Sequence, residues 1–310
     1  QDRWDLSELQ LSLLLLLMVL LARVGSVAAE SLAKRRDSAW LLRLGLGATA
    51  VAVPVLTTAP ALGLFVGGLA AYGIALGVVD ATTNMQAVAV EHRYGRPILP
   101  SFHGAWTLGG IVGAALTLLT SGLALEGAAL VAVVPPAVLF GRLLPRTAGP
   151  EGLPGPVPPD VPWRPILLVG LGMVVFYMVD TAAQTWGAVY LDKTIPTPER
   201  LVALATLPYL VASLALRLSG DVLVARFGAV RVIRVGALVG CAALAVIVFA
   251  PTWPIAVLGF TALGAGVAVI APLSFSAAAR IAGDGMDELS RQARVDAVIG
   301  RFNQFNYVGA

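Results

Sequence analysis

Two stretches of this 310-residue sequence set an acid and an amide four residues apart inside long apolar runs. In GVVDATTNMQ, residues 77–86, Asp80 is followed by Asn84; in FYMVDTAAQTWGAVYL, residues 176–191, Asp180 is followed by Gln184, with Trp186 close behind. Four residues is about one helical turn, so each pair shares a helix face. An ionisable group at bilayer depth costs at least about 2.5–3.5 kcal/mol, so it normally faces a partner or a water-filled cavity. Two chemistries fit these pairs: a hydrogen bond that packs one helix on another, or a protonatable group lining a path for a polar solute. An aromatic such as Trp186 suits stacking on a sugar-like ring, and suits equally an anchor at the membrane interface.

Other polar residues are weighed the same way. Arg23 lies seven residues before Glu30, within reach of the interface by snorkelling, or of Asp80 as a counter-ion. His103 and Trp106 open one apolar block, and Asn303, Gln304 and Asn306 open another. Each group either lines the path or sits at an interfacial helix start. Gly109, Gly110 and Gly113 are expected to let neighbouring helices approach closely. Catalytic, metal and cofactor sites are not expected. Cys241 is the only cysteine, His92 and His103 are the only histidines, and HExxH, P-loop and Ser-His-Asp groupings are missing. The chain is therefore not expected to be an enzyme.

The elements that must carry these residues follow from composition. The chain is 58% hydrophobic and 13% charged, about half the charge of a soluble domain. Its apolar residues fall in blocks of about 20, the length that crosses a bilayer. Nine helices are expected, over 8–32, 39–57, 60–90, 101–121, 126–144, 165–191, 199–219, 230–250 and 254–281, with a tenth beginning near 301. Ser7 is expected to cap the first, with Glu8 in its first turn. The segment PRTAGPEGLPGPVPPDVPWRP, residues 145–165, is too rich in proline and glycine for a helix and reads as a linker. The domains expected are a bundle over 1–144, a linker over 145–164 and a bundle over 165–310.

Alternate loops hold the charge. Seventeen of the twenty-one basic residues, Arg217, Arg226, Arg231, Arg234 and Arg294 among them, are assigned to one set of loops; only Arg3, Lys193 and Arg200 fall opposite. The positive-inside rule makes the first set and the linker cytoplasmic in a multi-pass plasma-membrane (inner-membrane) protein. The basic balance of +3 is thereby explained without a nucleic-acid partner.

An internal repeat is visible at an offset of 191. ESLAKRRDSAWLLRLG (30–45) overlies DVLVARFGAVRVIRVG (221–236) with four identities, Leu32/Leu223, Arg35/Arg226, Arg43/Arg234 and Gly45/Gly236, and Gly73 overlies Gly264 without a gap. At the same offset Asp80 meets Ala271 and Asn84 meets Phe275, so the acid/amide face has no twin, which favours a functional role over scaffolding. The repeat implies two six-helix halves, with a first helix expected before residue 1 and the last helices after residue 310.

Two halves of this kind with a central linker resemble the major facilitator superfamily. The stretch DVLVARFGAVRV is similar to that superfamily's cytoplasmic loop signature, with Asp221, Arg226, Gly228 and Arg231 at its positions. The stretch GVVDATTNMQAVAVEHRYGRPILPSFHGAWTLGGIVGA, residues 77–114, resembles the fucose permease-like branch. The resemblance implies proton coupling at Asp80 and a substrate path past Asn84, His103, Trp106, Asp180, Gln184, Trp186 and Asn303. It implies a proton-coupled secondary transporter taking up a small polar, sugar-like solute by alternating access, monomeric in the bilayer, with the solute and protons as partners. Two alternatives stay open: an exporter of drugs or metabolites, and a non-transporting sensor or membrane-embedded enzyme.

Overall fold

A computed structural model describes Trp4 and residues 6–119, 130–143, 161–198, 201 and 204–309. Among the described residues the regular structure is helical throughout: α1 (Glu8–Ala33), α2 (Ser38–Thr58), α3 (Leu62–Tyr94), α4 (Leu99–Leu119), α5 (Val134–Leu139), α6 (Trp163–Lys193), α7 (Leu207–Phe227), α8 (Ala229–Val248), α9 (Trp253–Val267), α10 (Ile270–Gly283), α11 (Glu288–Phe302) and α12 (Gln304–Gly309). Among the described residues seven spans are long and apolar enough to cross a membrane, with α9 and α10 counted together as one. Large apolar side chains stand exposed along them, Leu168, Val222 and Leu238 among them, as a lipid-facing surface requires.

Local chemistry explains the starts. Ser7 caps α1 through a reciprocal box: its hydroxyl accepts from Gln10 N at 3.2 Å, and Gln10 Oε1 accepts from Ser7 N at 2.9 Å. Asp37 caps α2 by accepting from Ala39 N at 2.9 Å. Pro208 sits in the first turn of α7, where a missing N–H costs nothing.

The chain divides into two compact units, neither of them one run of sequence. The first comprises Gln1–Val90, Leu119–Pro162 and Ala279–Tyr307; the second comprises Glu91–Leu118, Trp163–Ala278 and Val308–Ala310. Within the first, α11 packs on α1; within the second, α4 meets α7, where Gly104 stands against Leu218 and Arg217. The repeat reappears as one contact made twice. A Cβ on Gly73 would come within 3.0 Å of Met18 O in the first unit, and one on Gly264 would do the same to Tyr209 O in the second. Met18 and Tyr209 are themselves 191 residues apart, so only glycine fits at either crossing.

Five expectations are corrected. The span expected at 126–144 holds, among its described residues 130–143, a six-residue α-helix, Val134–Leu139, that opens on the Pro135–Pro136 pair and is capped at Phe140. The span expected at 199–219 lies at Leu207–Phe227, because the helix starts at the Pro208 turn and runs on to Gly228, whose φ of +79° closes it. Arg217 therefore sits mid-helix and buried rather than in a loop. The span expected at 254–281 is broken between Val267 and Ile270. Pro272 has no N–H for Ala268 O, the carbonyl four residues back. The loop expected between 281 and 301 is mostly the helix α11, capped by Asp287, whose Oδ1 accepts from Ser290 N at 3.0 Å. Its sequence ELSRQARVDAVIGRF was too charged to read as a span, and Arg294, assigned to that loop, is buried within it. Gly109 and Gly110 carry no close approach, since an added Cβ at either would meet nothing within 4 Å. The linker core at 145–160, residues 120–121 and 126–129, Leu144, Arg3, Arg146 and Arg200 lie outside the described residues.

Candidate functional site

In the first unit, α3 brings Asp80 to α1 through glycine. A side chain on Gly77 would collide with the backbone of Ala22 and Ser26, and one on Gly73 with Met18. The two helices thus cross in near backbone contact, which sets Ser26 of α1, fully buried, beside the acid/amide face. The third wall is the break between α11 and α12, occupied by Asn303, which is 0% exposed.

Asn303 knits the cluster together. Its Nδ2 donates to Asp80 Oδ2 at 2.7 Å and to Ser26 Oγ at 3.3 Å, while its Oδ1 accepts from Asn84 Nδ2 at 3.2 Å. Asn84 Nδ2 also donates to Asp80 O at 3.1 Å, which fixes the sense of the amide chain. Tyr307 of α12 donates its hydroxyl to the same Asp80 Oδ2 at 3.0 Å. Gln304 Nε2 donates to Ser26 Oγ at 2.8 Å. Both donors on Asp80 converge on one oxygen, and Oδ1 has no protein donor among the described residues. A half-buried carboxylate with one oxygen clamped and one free can hold a proton or a polar solute. One turn below, Arg301 Nε donates to Glu30 Oε1 at 2.9 Å, tying α11 to α1 again.

In the second unit, Asp180 of α6 takes Gln184 Nε2 on Oδ2 at 2.8 Å and the hydroxyl of Tyr209 on Oδ1. Tyr209 is buried by α9, whose Gly264 lies on its backbone. Nearby, Arg217 of α7 donates Nε to Ala268 O at 3.1 Å and Nη1 to Thr107 Oγ1 of α4. His103, one turn before Thr107, stacks on Phe275 at 5.9 Å between ring centroids, and its buried Nε2 has no protein partner. Trp106 and Trp186 join neither cluster: they are 75% and 62% exposed.

The loop-signature residues act on a helix end. Asp221 accepts from Ser101 N at 3.0 Å and from Ser101 Oγ. Glu91 accepts from Ile98 N and Leu99 N, each at 2.9 Å, and from Ser276 Oγ at 2.6 Å. Two carboxylates thus satisfy the first N–H groups of α4 and complement its dipole. Gly228 supplies the positive φ that lets α8 begin one residue after α7 ends. Arg226 lies over the Phe227 ring at 5.3 Å, and Arg231 is exposed.

Sequence reasoning paired Asp80 with Asn84 and named Asn303 apart from them; the structure joins all three. It missed Tyr307, Ser26, Tyr209, Thr107 and Arg217 as members of polar clusters. Single hydroxyls in apolar helices carry no periodic signal, and Arg217 was hidden by the misplaced span.

No family model matches the chain. An uncharacterized transporter of Sinorhizobium fredii is 32% identical over 240 residues, covering 74% of this chain and 62% of that protein. An uncharacterized MFS-type transporter of Yersinia pestis is 28% identical over 213 residues, covering 68% of this chain and 56% of its own length. Among solved structures, an outward-facing major facilitator transporter, FucP, superposes on 100% of this chain and 84% of its own at TM-score 0.77 and 16% identity. The chain has the major facilitator fold and is similar in sequence to two transporters, one of them named MFS-type. A human organic anion transporter shares the fold at TM-score 0.69 and 15% identity, over 94% of this chain and 74% of its own. The chain spans less than two thirds of the length of these two curated relatives.

Proposed function

We propose that this chain is the core of a proton-coupled secondary transporter that takes up a small polar, sugar-like solute by alternating access. The observation that carries the reading is the Asp80 cluster: a carboxylate deep in an apolar helix, gripped at Oδ2 by Asn303 and Tyr307. Ionised, Oδ2 accepts both bonds. A proton taken on the free Oδ1 leaves Oδ2 a neutral carbonyl oxygen, which accepts both bonds more weakly. These bonds tie α3 to the α11–α12 break, and hydrogen bonds to a charged group contribute about 1.5–3 kcal/mol each. Protonation would therefore bias how tightly those helices hold together, and a state-dependent affinity for H⁺ is what coupling requires. The two-bundle division at the 145–164 linker, a monomeric state and inward-facing arginine loops belong to the same proposal. The fold that this chain shares with the Fucose:proton symporter of E. coli supports it.

The test uses full-length protein in vesicles loaded with a pH-sensitive dye. Adding the transported solute outside, with no imposed gradient, should acidify the lumen in step with uptake. Uptake that moves no protons and ignores a protonophore would contradict the reading.

A further inference from the structure

We infer that the transported solute carries a carboxylate and that Arg217 is the group that reads it; this rests on the transporter reading above. Arg217 lies ten residues from either end of α7, about 15 Å of helix rise from each, and is 7% exposed. A cation at that depth pairs with an opposite charge or with backbone carbonyls. Here its acceptors are neutral, Ala268 O and Thr107 Oγ1, and Nη2 has none among the described residues. Asp180 does not pair with it: both its oxygens are occupied by Tyr209 and Gln184. Beside Arg217 stands His103, with Nε2 buried and unpartnered.

The two bonds that Arg217 does make hold its plane still. One fills the carbonyl that Pro272 leaves unbonded at the α9–α10 break, and the other reaches α4. A guanidinium held at Nε and Nη1 and free at Nη2 is preorganised to give the Nη2 donors to an anion. The imidazole Nε2 of His103 offers a further polar contact, and the Phe275 ring stacked on His103 an apolar wall. Charge selects the class. One guanidinium balances one negative charge, so it suits a monoanion better than a phosphate dianion. With the solute's polyhydroxy body expected from the transporter reading, the class is a sugar acid.

Purified full-length protein is titrated with matched solutes: glucuronate and gluconate, their neutral counterparts glucose and glucitol, and glucose 6-phosphate with inorganic phosphate. Binding is read by thermal shift and calorimetry. The carboxylates should bind, with the neutral counterparts and the phosphates weaker by roughly 10-fold or more. Arg217→Gln should abolish that preference, and Arg217→Lys should keep part of it. Because Arg217 also supports the helix break, the same loss is measured with Arg217→Gln and Pro272→Ala combined, where the new backbone N–H replaces the lost donor. Equal binding of neutral and carboxylated members, preference for phosphate, no carboxylate binding, or a preference that survives Arg217→Gln would each overturn the inference. Neutral solutes driven by protons would leave the transporter standing without the anion site. Carboxylate binding without proton-driven uptake would do the reverse.

Discussion

Asn303 touches Asp80, Asn84 and Ser26 with one amide. Each of those groups keeps a second partner, so truncation strands none of them outright. Asn303→Ala should therefore lower stability by about 1–3 kcal/mol rather than abolish folding, measured as a fall in Tm of the detergent-solubilised protein. Tyr307→Phe removes one of the two donors on Asp80 Oδ2 with little change in volume. It should cost about 1.5–3 kcal/mol of stability, read as a fall in Tm, and slow proton-driven uptake by about 10-fold. At this scale the sequence was half legible. Asp80 and Asn84 stood out because a charge and an amide are rare in an apolar helix, and Asn303 because it broke the polarity of a helix start. Tyr307 and Ser26 did not, since a hydroxyl in a membrane helix bonds its own backbone as readily as a distant carboxylate. Arg217 was visible as a residue and misread as a position.

The helices explain where these residues meet. Gly77 has the α1 backbone of Ala22 and Ser26 where its Cβ would stand, whereas Gly109 has open space. Gly77→Val should prevent accumulation of folded protein, by overpacking against backbone that cannot yield. Gly109→Ala should be tolerated and gain a little helix propensity; expression and size-exclusion profiles compare the two. The α9–α10 break gives a sharper test. If Arg217 stabilises the carbonyl that Pro272 leaves free, the two changes should not add. Arg217→Gln should cost about 1 kcal/mol less in a Pro272→Ala background than alone, measured by a double-mutant cycle in Tm or denaturant midpoint. Long apolar helices such as α1, α2, α3, α6 and α8 were readable to within a few residues, because twenty apolar residues have few other uses. The helix α11 was not: its stability comes from packing on α1 and from the Arg301–Glu30 pair, neither of which is a local signal.

For the whole molecule, the 191-residue offset that first showed as four identities is matched by the paired Gly73/Met18 and Gly264/Tyr209 crossings. Duplicated packing leaves room for asymmetric chemistry: Asp80 and Asn84 in one copy, Ala271 and Phe275 in the other. Sidedness is testable because Cys241 is the only cysteine. With Cys241→Ser as background, single cysteines at Arg96 and Arg226 should react with an impermeant maleimide only after cells are opened, and one at Asp192 in intact cells. Coupling of protons to solute movement at Asp80 is probed by Asp80→Asn, nearly the same size and still able to accept from Asn303, in vesicles under an imposed proton gradient. Concentrative uptake should be lost while exchange of solute across the membrane persists. Undiminished gradient-driven accumulation by Asp80→Asn would mean that the coupling proton is carried elsewhere and that Asp80 only packs α3 against its neighbours.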